Sequence, residues 1–242
     1  MNALARESLP GWIALLVVAA LAWHRTLADA AAMGATPGTM GMALVPFLAM
    51  WVPMMAAMML PAITPVATLW ARSISREPAP LERIARLLLF AGGYLVAWGA
   101  AGALAFVLIR PIERGLTSGI YSPRAAASTI FALAGIYQLS PLREACLTRC
   151  RSPMTVLGRI STGPATLIDL RAGVLHGAWC IGCCWALMAV LALVGLMNVL
   201  AMTAMAVFIF IEKTTRFGIP AGRLAGILML AVAAATLAGV IR

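Results

Sequence analysis

The sequence predicts an all-α fold, a polytopic bundle of transmembrane helices in which residues 1–242 form a single transmembrane domain. Three observations lead to this fold class. The 242 residues are 63% hydrophobic and 11% charged, whereas soluble domains are nearer half apolar and a quarter charged. The mean hydropathy is +0.97. Several apolar stretches also reach the roughly 20 residues that a helix needs to cross a bilayer core.

We expect about seven spans, with six as the alternative count. They cover about residues 10–30, 42–69, 84–109, 125–140, 172–194, 196–212 and 222–241. The fourth and sixth are short for a span, so we expect them to be tilted, re-entrant or shielded by neighbouring helices. Between spans, residues 141–171 contain Pro141, Pro153 and Pro164. These prolines predict a short amphipathic piece followed by irregular chain.

The positive charge of the chain predicts its orientation. The 18 Lys and Arg residues outnumber the 8 Asp and Glu residues. The sequence lacks a basic patch interleaved with aromatic residues, so the excess indicates membrane topology rather than nucleic-acid binding. With the N-terminus in the cytoplasm, most basic residues fall in cytoplasmic segments. The opposite side then holds Arg25, Arg110, Arg114, Arg124 and Arg242. We therefore expect the N-terminus inside and the C-terminus outside.

The most specific motif is a group of three cysteines, Cys180, Cys183 and Cys184, preceded by His176. On an α-helix these four positions form one continuous stripe. Imidazole and thiolate are good ligands for Cu(I) and for zinc. The alternative is that small polarisable residues pack in a helix interface, since cysteine is common in buried positions. Three of the five cysteines within five residues, with a histidine in phase, favour a metal site.

A second cysteine pair, Cys146 and Cys150, has the spacing C-x₃-C. On a helical turn both sulfurs would lie on one face, and the nearby Arg143, Arg149 and Arg151 would favour thiolates. The alternative is a basic segment anchored to anionic lipid headgroups, with incidental cysteines. The pattern by itself leaves both interpretations open.

Methionines form a third pattern. Met50, Met54 and Met58 recur every four residues, and Met55 and Met59 lie beside them. Thioethers are soft, uncharged ligands that suit Cu(I) and need little desolvation. Methionine also fills gaps in ordinary cores, which is the alternative interpretation.

Four polar positions complete the candidate residues. Asn198 is predicted to cap the helix that follows it. Glu212 and Lys213 are expected to form a self-neutralising pair at the membrane surface. The alternative role for Glu212 is to receive or hand over a cation. Asp169 is expected in a loop.

These motifs together carry a family resemblance. They read Met50-Trp-x-x-Met54-x-x-Ala-Met58-Met59-x-Pro61, Tyr137-Gln-x-x-Pro141-Leu-x-x-x-Cys146-Leu-x-x-Cys150-Arg-x-Pro153, Gly177-x-x-Cys180-x-Gly182-Cys183-Cys184-Trp185-Ala-Leu-Met188, Gly195-x-Met197-Asn198 and Glu212-Lys213. Over about residues 45–215 the chain resembles the bacterial predicted metal-binding integral membrane proteins of unknown function. The first and last helices would then be peripheral. The resemblance implies a multi-pass protein of the bacterial inner membrane that handles copper, with delivery to a copper enzyme of the same membrane as one role.

The leading hypothesis is therefore a Cu(I) chaperone, insertase or exporter-like carrier, with zinc as the alternative metal. The expected intramembrane site comprises His176, Cys180, Cys183 and Cys184. The expected entrance pair is Cys146 and Cys150, and the expected extension of the path is Met54, Met58 and Met59.

Two other classes stay open. A membrane thiol–disulfide oxidoreductase would use Cys180 and Cys183 as its redox pair and Cys146 and Cys150 as its relay, with a quinone as electron carrier. The predicted cytoplasmic position of both pairs counts against it. A structural subunit of a membrane complex would use its 21 glycines for helix–helix association with a partner or a second copy. The sequence holds 2 histidines and no Ser/His/Asp pattern, so we expect no catalytic residue.

Overall fold

All regular secondary structure in the described part of the chain is α-helical, as the sequence predicts. A computed structural model describes residues 3–34, 36–73, 80–152 and 165–240. Within these ranges the helices are α1 (Ala3–Met33), α2 (Leu44–Ser73), α3 (Pro80–Thr117), α4 (Pro123–Gln138), α5 (Pro141–Arg151), α6 (Ala165–Val194), α7 (Val199–Thr214) and α8 (Gly218–Leu237). Pro153, Pro164 and Arg242, which entered the sequence predictions, lie outside the described residues.

The expectation of about seven spans is too high. Five of the described helices are long and apolar enough to cross a membrane, namely α1, α2, α3, α6 and α8. A sixth span results if α4 and α5, which meet at a bend of 63°, count as one broken span. The predicted span at 196–212 corresponds to α7, which has 16 residues. At 1.5 Å per residue this helix is about 24 Å long, shorter than the roughly 30 Å of a bilayer core.

Proline and threonine shape the methionine-bearing helix α2. Pro53, Pro61 and Pro65 lie inside the helix, and each lacks the N–H that would bond to the preceding turn. Threonine hydroxyls bond to backbone carbonyls in the same stretch. Thr64 Oγ1 donates to the Leu60 carbonyl at 2.8 Å, and Thr68 Oγ1 donates to the Thr64 carbonyl at 2.9 Å. Such side-chain bonds help satisfy backbone groups around prolines at membrane depth.

Helices α3 and α6 approach closely because glycines lie at their contact. A Cβ added at Gly173 would lie 2.9 Å from the backbone nitrogen of Tyr94, and one at Gly177 would lie 2.7 Å from the Cβ of Ala97. Small residues at such positions let two backbones meet. The contact brings Tyr94 of α3 against the face of α6 that carries the cysteines.

Helix α5 differs from the predicted amphipathic piece between spans. Pro141 begins the helix, and the Ser140 hydroxyl accepts a hydrogen bond from the Arg143 N–H at 3.2 Å. Arg143 is 0% exposed, and Cys146 and Cys150 are also buried. The helix therefore packs into the core, because its polar residues find buried partners there.

Two polar predictions have opposite outcomes. The predicted cap is confirmed, because the Asn198 side chain accepts from the Ala201 N–H at 3.1 Å at the start of α7. The loop predicted for Asp169 is wrong. Asp169 lies inside α6 and is 1% exposed. Arg86 Nε donates to its carboxylate at 3.1 Å, and Trp70 Nε1 donates at 2.8 Å.

Candidate metal centre

Cysteines from two helices meet in the core. The sulfurs of Cys150 on α5 and of Cys180 and Cys183 on α6 all lie within 4.8 Å of one another, and all three side chains are buried. We call these three residues the cysteine cluster. Thiolates are soft ligands that bind Cu(I) and zinc, so three convergent sulfurs could hold a metal ion.

Cys180 has two close polar partners on other helices. Its Sγ lies 2.9 Å from the Tyr94 hydroxyl and accepts a hydrogen bond from Lys213 Nζ at 2.8 Å. A charged donor at this distance stabilises negative charge on the atom that accepts from it. Cys180 is therefore the position in the cluster best prepared to act as a thiolate.

Cys184 extends the cluster along α6. Its Sγ lies 3.3 Å from the Cys183 sulfur and 3.9 Å from the Cys180 sulfur. Cys183 Sγ also donates to the Cys180 carbonyl at 3.1 Å. All five cysteines are free thiols, so the sulfurs remain available as ligands.

His176 borders the cluster on the side of Cys150. Its Nε2 lies 4.0 Å from the Cys150 sulfur, and its ring packs against Phe90 and Tyr94, with centroids 5.7 and 6.0 Å away. Within the described residues, Nδ1 has no hydrogen-bond partner. A fully buried imidazole with an unsatisfied nitrogen beside a thiol has the chemistry of a further metal ligand.

The structure separates the two cysteines of the C-x₃-C pair. Cys150 joins the cluster. Cys146 faces Gly182 instead, since a Cβ added at that glycine would lie 2.8 Å from the Cys146 sulfur. Tyr137 donates to the Gly182 carbonyl beside it. The predicted pair is thus divided between the cluster and its flank.

The expected pairing of Glu212 with Lys213 is wrong. Glu212 forms a buried ion pair with Arg143 of α5, and Gln138 Nε2 donates to its carboxylate at 3.3 Å. Glu212 and Lys213 are 2% and 8% exposed. Adjacent residues on a helix point in different directions, so the two side chains reach different neighbours.

The methionines of α2 line the same core. Met54, Met58 and Met59 are 0–2% exposed and belong to the buried cluster of residues that contains all five cysteines. Met59 contacts a residue of the site, because its Sδ lies 4.0 Å from Lys213 Nζ. The thioethers of these methionines therefore lie in the same buried core as the thiols.

A cavity of about 290 Å³ lies against the cluster. Its walls include Cys150 and Lys213, and on the other side Arg151 and the exposed Thr214. Pro65 of α2 completes this part of the wall. The cavity therefore lies between Cys150 and the surface at the ends of α5 and α7.

Sequence reasoning missed Tyr94 and the role of Lys213. Tyr94 lies in an apolar stretch of α3 and gives no pattern that would mark it. Lys213 did give a signal, because an ionisable residue at the end of an apolar helix indicates function when it is buried. Its adjacency to Glu212 suggested a local pair instead.

The chemistry of the cysteine cluster agrees with the family model that matches the chain. A family model described as PpoB2, copper chaperone, matches residues 48–236. No curated protein and no solved structure matches the chain. The matched range contains all five cysteines and the methionines of α2 from Met50 onward. Because the match covers most of the sequence, the protein belongs to the PpoB2 family of copper chaperones.

Proposed function

We propose that this protein is a membrane-embedded chaperone that holds Cu(I) at the cysteine cluster and passes it to a copper-using partner. The observation that carries the proposal is the approach of three buried sulfurs from α5 and α6 to within 4.8 Å of one another. Two helices supply the ligands, and the sulfurs lie in a buried, largely apolar core.

Cu(I) fits this surrounding better than zinc. Zinc sites in proteins are built from Cys, His, Asp and Glu ligands. Here methionines share the buried core with the thiols, and Met59 contacts Lys213, which in turn contacts Cys180. A neutral, soft thioether favours Cu(I). Cys180 and Cys183 would hold the ion, with Cys150, Cys184 and His176 available to complete or exchange its coordination.

The proposed location is a bacterial inner membrane, crossed several times. Large apolar side chains are exposed on α1, α3 and α8, for example Leu21 at 66%, Leu104 at 60% and Ile227 at 57%. Exposed apolar surface on helices of spanning length is suited to lipid. The N-terminus would lie in the cytoplasm, as the basic residues predict.

The proposed route begins at the cavity beside Cys150. In each step the ion would exchange one sulfur ligand for another, so that one Cu–S bond forms as another breaks and no electron is transferred. Met59, Met58 and Met54 would continue the route along α2, and Cys146 would stand at its side. The recipient would be a copper-using protein of the same membrane.

Metal content tests the proposal. We expect full-length protein, purified without oxygen, to contain about one copper per chain, and the variant Cys180→Ala/Cys183→Ala to lose it. Binding should weaken at acid pH, because the ligands must be deprotonated. Elemental analysis with thiol titration measures both metal and disulfide.

Each other result has a distinct meaning. Zinc in place of copper would reject the metal assignment. An absence of metal with a disulfide among these cysteines would favour the thiol–disulfide oxidoreductase. An absence of metal with five free thiols would leave a structural subunit and reject copper handling.

A further inference from the structure

Lys213 is a buried cation whose partner is a sulfur. The side chain is 8% exposed, and its Nζ lies 2.8 Å from Cys180 Sγ and 4.0 Å from Met59 Sδ. Burying an ammonium group is costly unless a partner compensates its charge. In the described part of the chain, the contacts of this ammonium are to sulfur atoms, and no carboxylate lies within ion-pair distance of it.

The adjacent acid does not supply the countercharge. The Glu212 carboxylate accepts from Arg143, which is 0% exposed, and from Gln138. This carboxylate therefore already has a cation of its own. The positive charge of Lys213 is directed at the cysteine cluster instead.

A copper site made of thiolates needs such a charge. Two thiolates around one Cu(I) ion carry one net negative charge. A buried net charge is strongly unfavourable in a low-dielectric interior without an opposite charge nearby. The ammonium of Lys213 brings the total to zero when Cys180 and one further cysteine bind the ion.

We propose that Lys213 is the resident counter-ion of the copper site and makes it selective for a monovalent over a divalent metal ion. This inference rests on the proposed function, because it assumes that the cysteine cluster binds Cu(I). Lys213 is a positioning residue, which acts on the metal through the thiolates and does not ligate it.

The space beside the cysteine cluster allows the Lys213 ammonium to shift while it stays close to the bound ion. A thiolate sulfur has three lone pairs, so Cys180 can bind the ion with one of them while another still accepts the N–H···S hydrogen bond of Lys213. The second cysteine would release its proton as its Cu–S bond forms. Lys213 also lines the cavity of about 290 Å³ next to the cluster. The side chain can therefore move a short way into the cavity while its charge stays close to the bound ion.

Charge balance predicts a change of selectivity when the lysine is neutralised. A divalent ion with two thiolates is already neutral, so it gains nothing from a nearby ammonium. Cu(I) with the same two thiolates keeps one uncompensated negative charge once the lysine is neutralised. Cd(II) is a suitable divalent probe, since it binds thiolates and its charge-transfer absorption can be followed directly.

The experiment compares Cu(I) and Cd(II) affinities of full-length protein in detergent. Lys213→Gln keeps a hydrogen-bond donor but removes the charge, and Lys213→Arg keeps the charge. We expect Lys213→Gln to weaken Cu(I) binding about tenfold or more, with Cd(II) binding unchanged or tighter. Lys213→Arg should keep the preference for Cu(I). Lys213→Leu carries the same expectation as the glutamine variant if that variant does not fold.

The outcomes separate this inference from the proposed function. Equal losses for both metals would mean that Lys213 only supports the structure. Cu(I) affinity that stays the same or rises in the glutamine variant would mean that the lysine is idle or competes with the metal. Either result overturns the inference and leaves the proposed function standing. Wild-type protein that binds no Cu(I) would overturn both.

Discussion

Cys146 and Cys150 lie four residues apart on α5, yet their sulfurs meet different neighbours. The Cys150 sulfur is within 4.8 Å of the sulfurs of Cys180 and Cys183, and Cys146 packs against Gly182. We therefore expect Cys150→Ala to lower Cu(I) affinity at least about tenfold, since even residues that only support metal ligands affect affinity by that factor. Cys146→Ala should leave the affinity nearly unchanged. Competition with a chromophoric Cu(I) chelator measures both.

The two variants control for each other, because both remove one buried thiol from the same helix. Equal and large losses would mean that the C-x₃-C pair binds copper as a unit, as the sequence-based hypothesis of an entrance pair holds. Unchanged affinity in both would confine the site to the cysteines of α6.

At the residue scale, the sequence identifies which residues have ligand chemistry better than it identifies which residues contact one another. The stripe of His176, Cys180, Cys183 and Cys184 follows from helical spacing alone, and the structure places the sulfurs of Cys180 and Cys183 within 4.8 Å of each other. The pairing of Glu212 with Arg143, and of Lys213 with Cys180, depends on how α5 and α7 pack. Sequence spacing contains no information about that packing.

At the scale of elements, the contact between α3 and α6 positions the site. Gly173→Ala would place a methyl group 2.9 Å from the backbone nitrogen of Tyr94, where neither backbone can give way. We expect a loss of about 1–3 kcal/mol in stability. Cu(I) affinity should fall as well, because Tyr94 and Cys180 face each other across this contact. Thermal unfolding followed by circular dichroism, with and without Cu(I), measures the effect.

Gly92 provides the matched control on α3. A Cβ added there would meet nothing within 4 Å, and alanine is favoured over glycine in a helix by up to about 1 kcal/mol. Gly92→Ala should therefore be neutral or stabilising. Equal destabilisation by both substitutions would show that the close approach of α3 and α6 does not limit stability.

Hydropathy predicts the long helices well and the short ones poorly. The span expected at 172–194 corresponds to Ala165–Val194, because a long apolar run gives a strong signal. The sequence around Cys146 predicts a segment outside the core, since arginines usually stay near water. Its burial follows from the Arg143–Glu212 pair, which joins residues far apart in sequence.

At the scale of the whole molecule, the contacts place the two ends of the chain at opposite ends of the bundle. Gly11 of α1 packs near Leu87 and Thr68, at the level where α3 and α2 approach the Arg86–Asp169 pair. The last turn of α8 lies at the start of α4, where a Cβ at Gly239 would be 3.2 Å from Arg124. Helix α7 runs from Asn198 back into the bundle, where Lys213 in its last turn meets Cys180 of α6.

This arrangement predicts opposite sides of the membrane for the two termini, and the basic residues assign the side. Arg149, Arg151 and Arg216 lie at the ends of α5 and α7, and Arg151 lines the cavity that also borders Cys150. Basic segments stay in the cytoplasm, so the cavity should open there, where thiols and copper stay reduced.

Reporter fusions test the orientation. We expect a fluorescent protein fused to the N-terminus to fluoresce and one fused to the C-terminus to stay dark. Alkaline phosphatase fused to the C-terminus should be active, because its disulfides form only after export.

The reverse pattern would place the cavity outside, so that the cysteines would receive copper from an oxidising compartment. A fluorescent C-terminus together with a fluorescent N-terminus would mean that the chain crosses the membrane an even number of times, as a count of six spans requires. The reverse pattern would therefore remove the cytoplasmic entrance from the proposed route, whereas a cytoplasmic N-terminus makes the cavity beside Cys150 the point where cytoplasmic Cu(I) reaches the cluster.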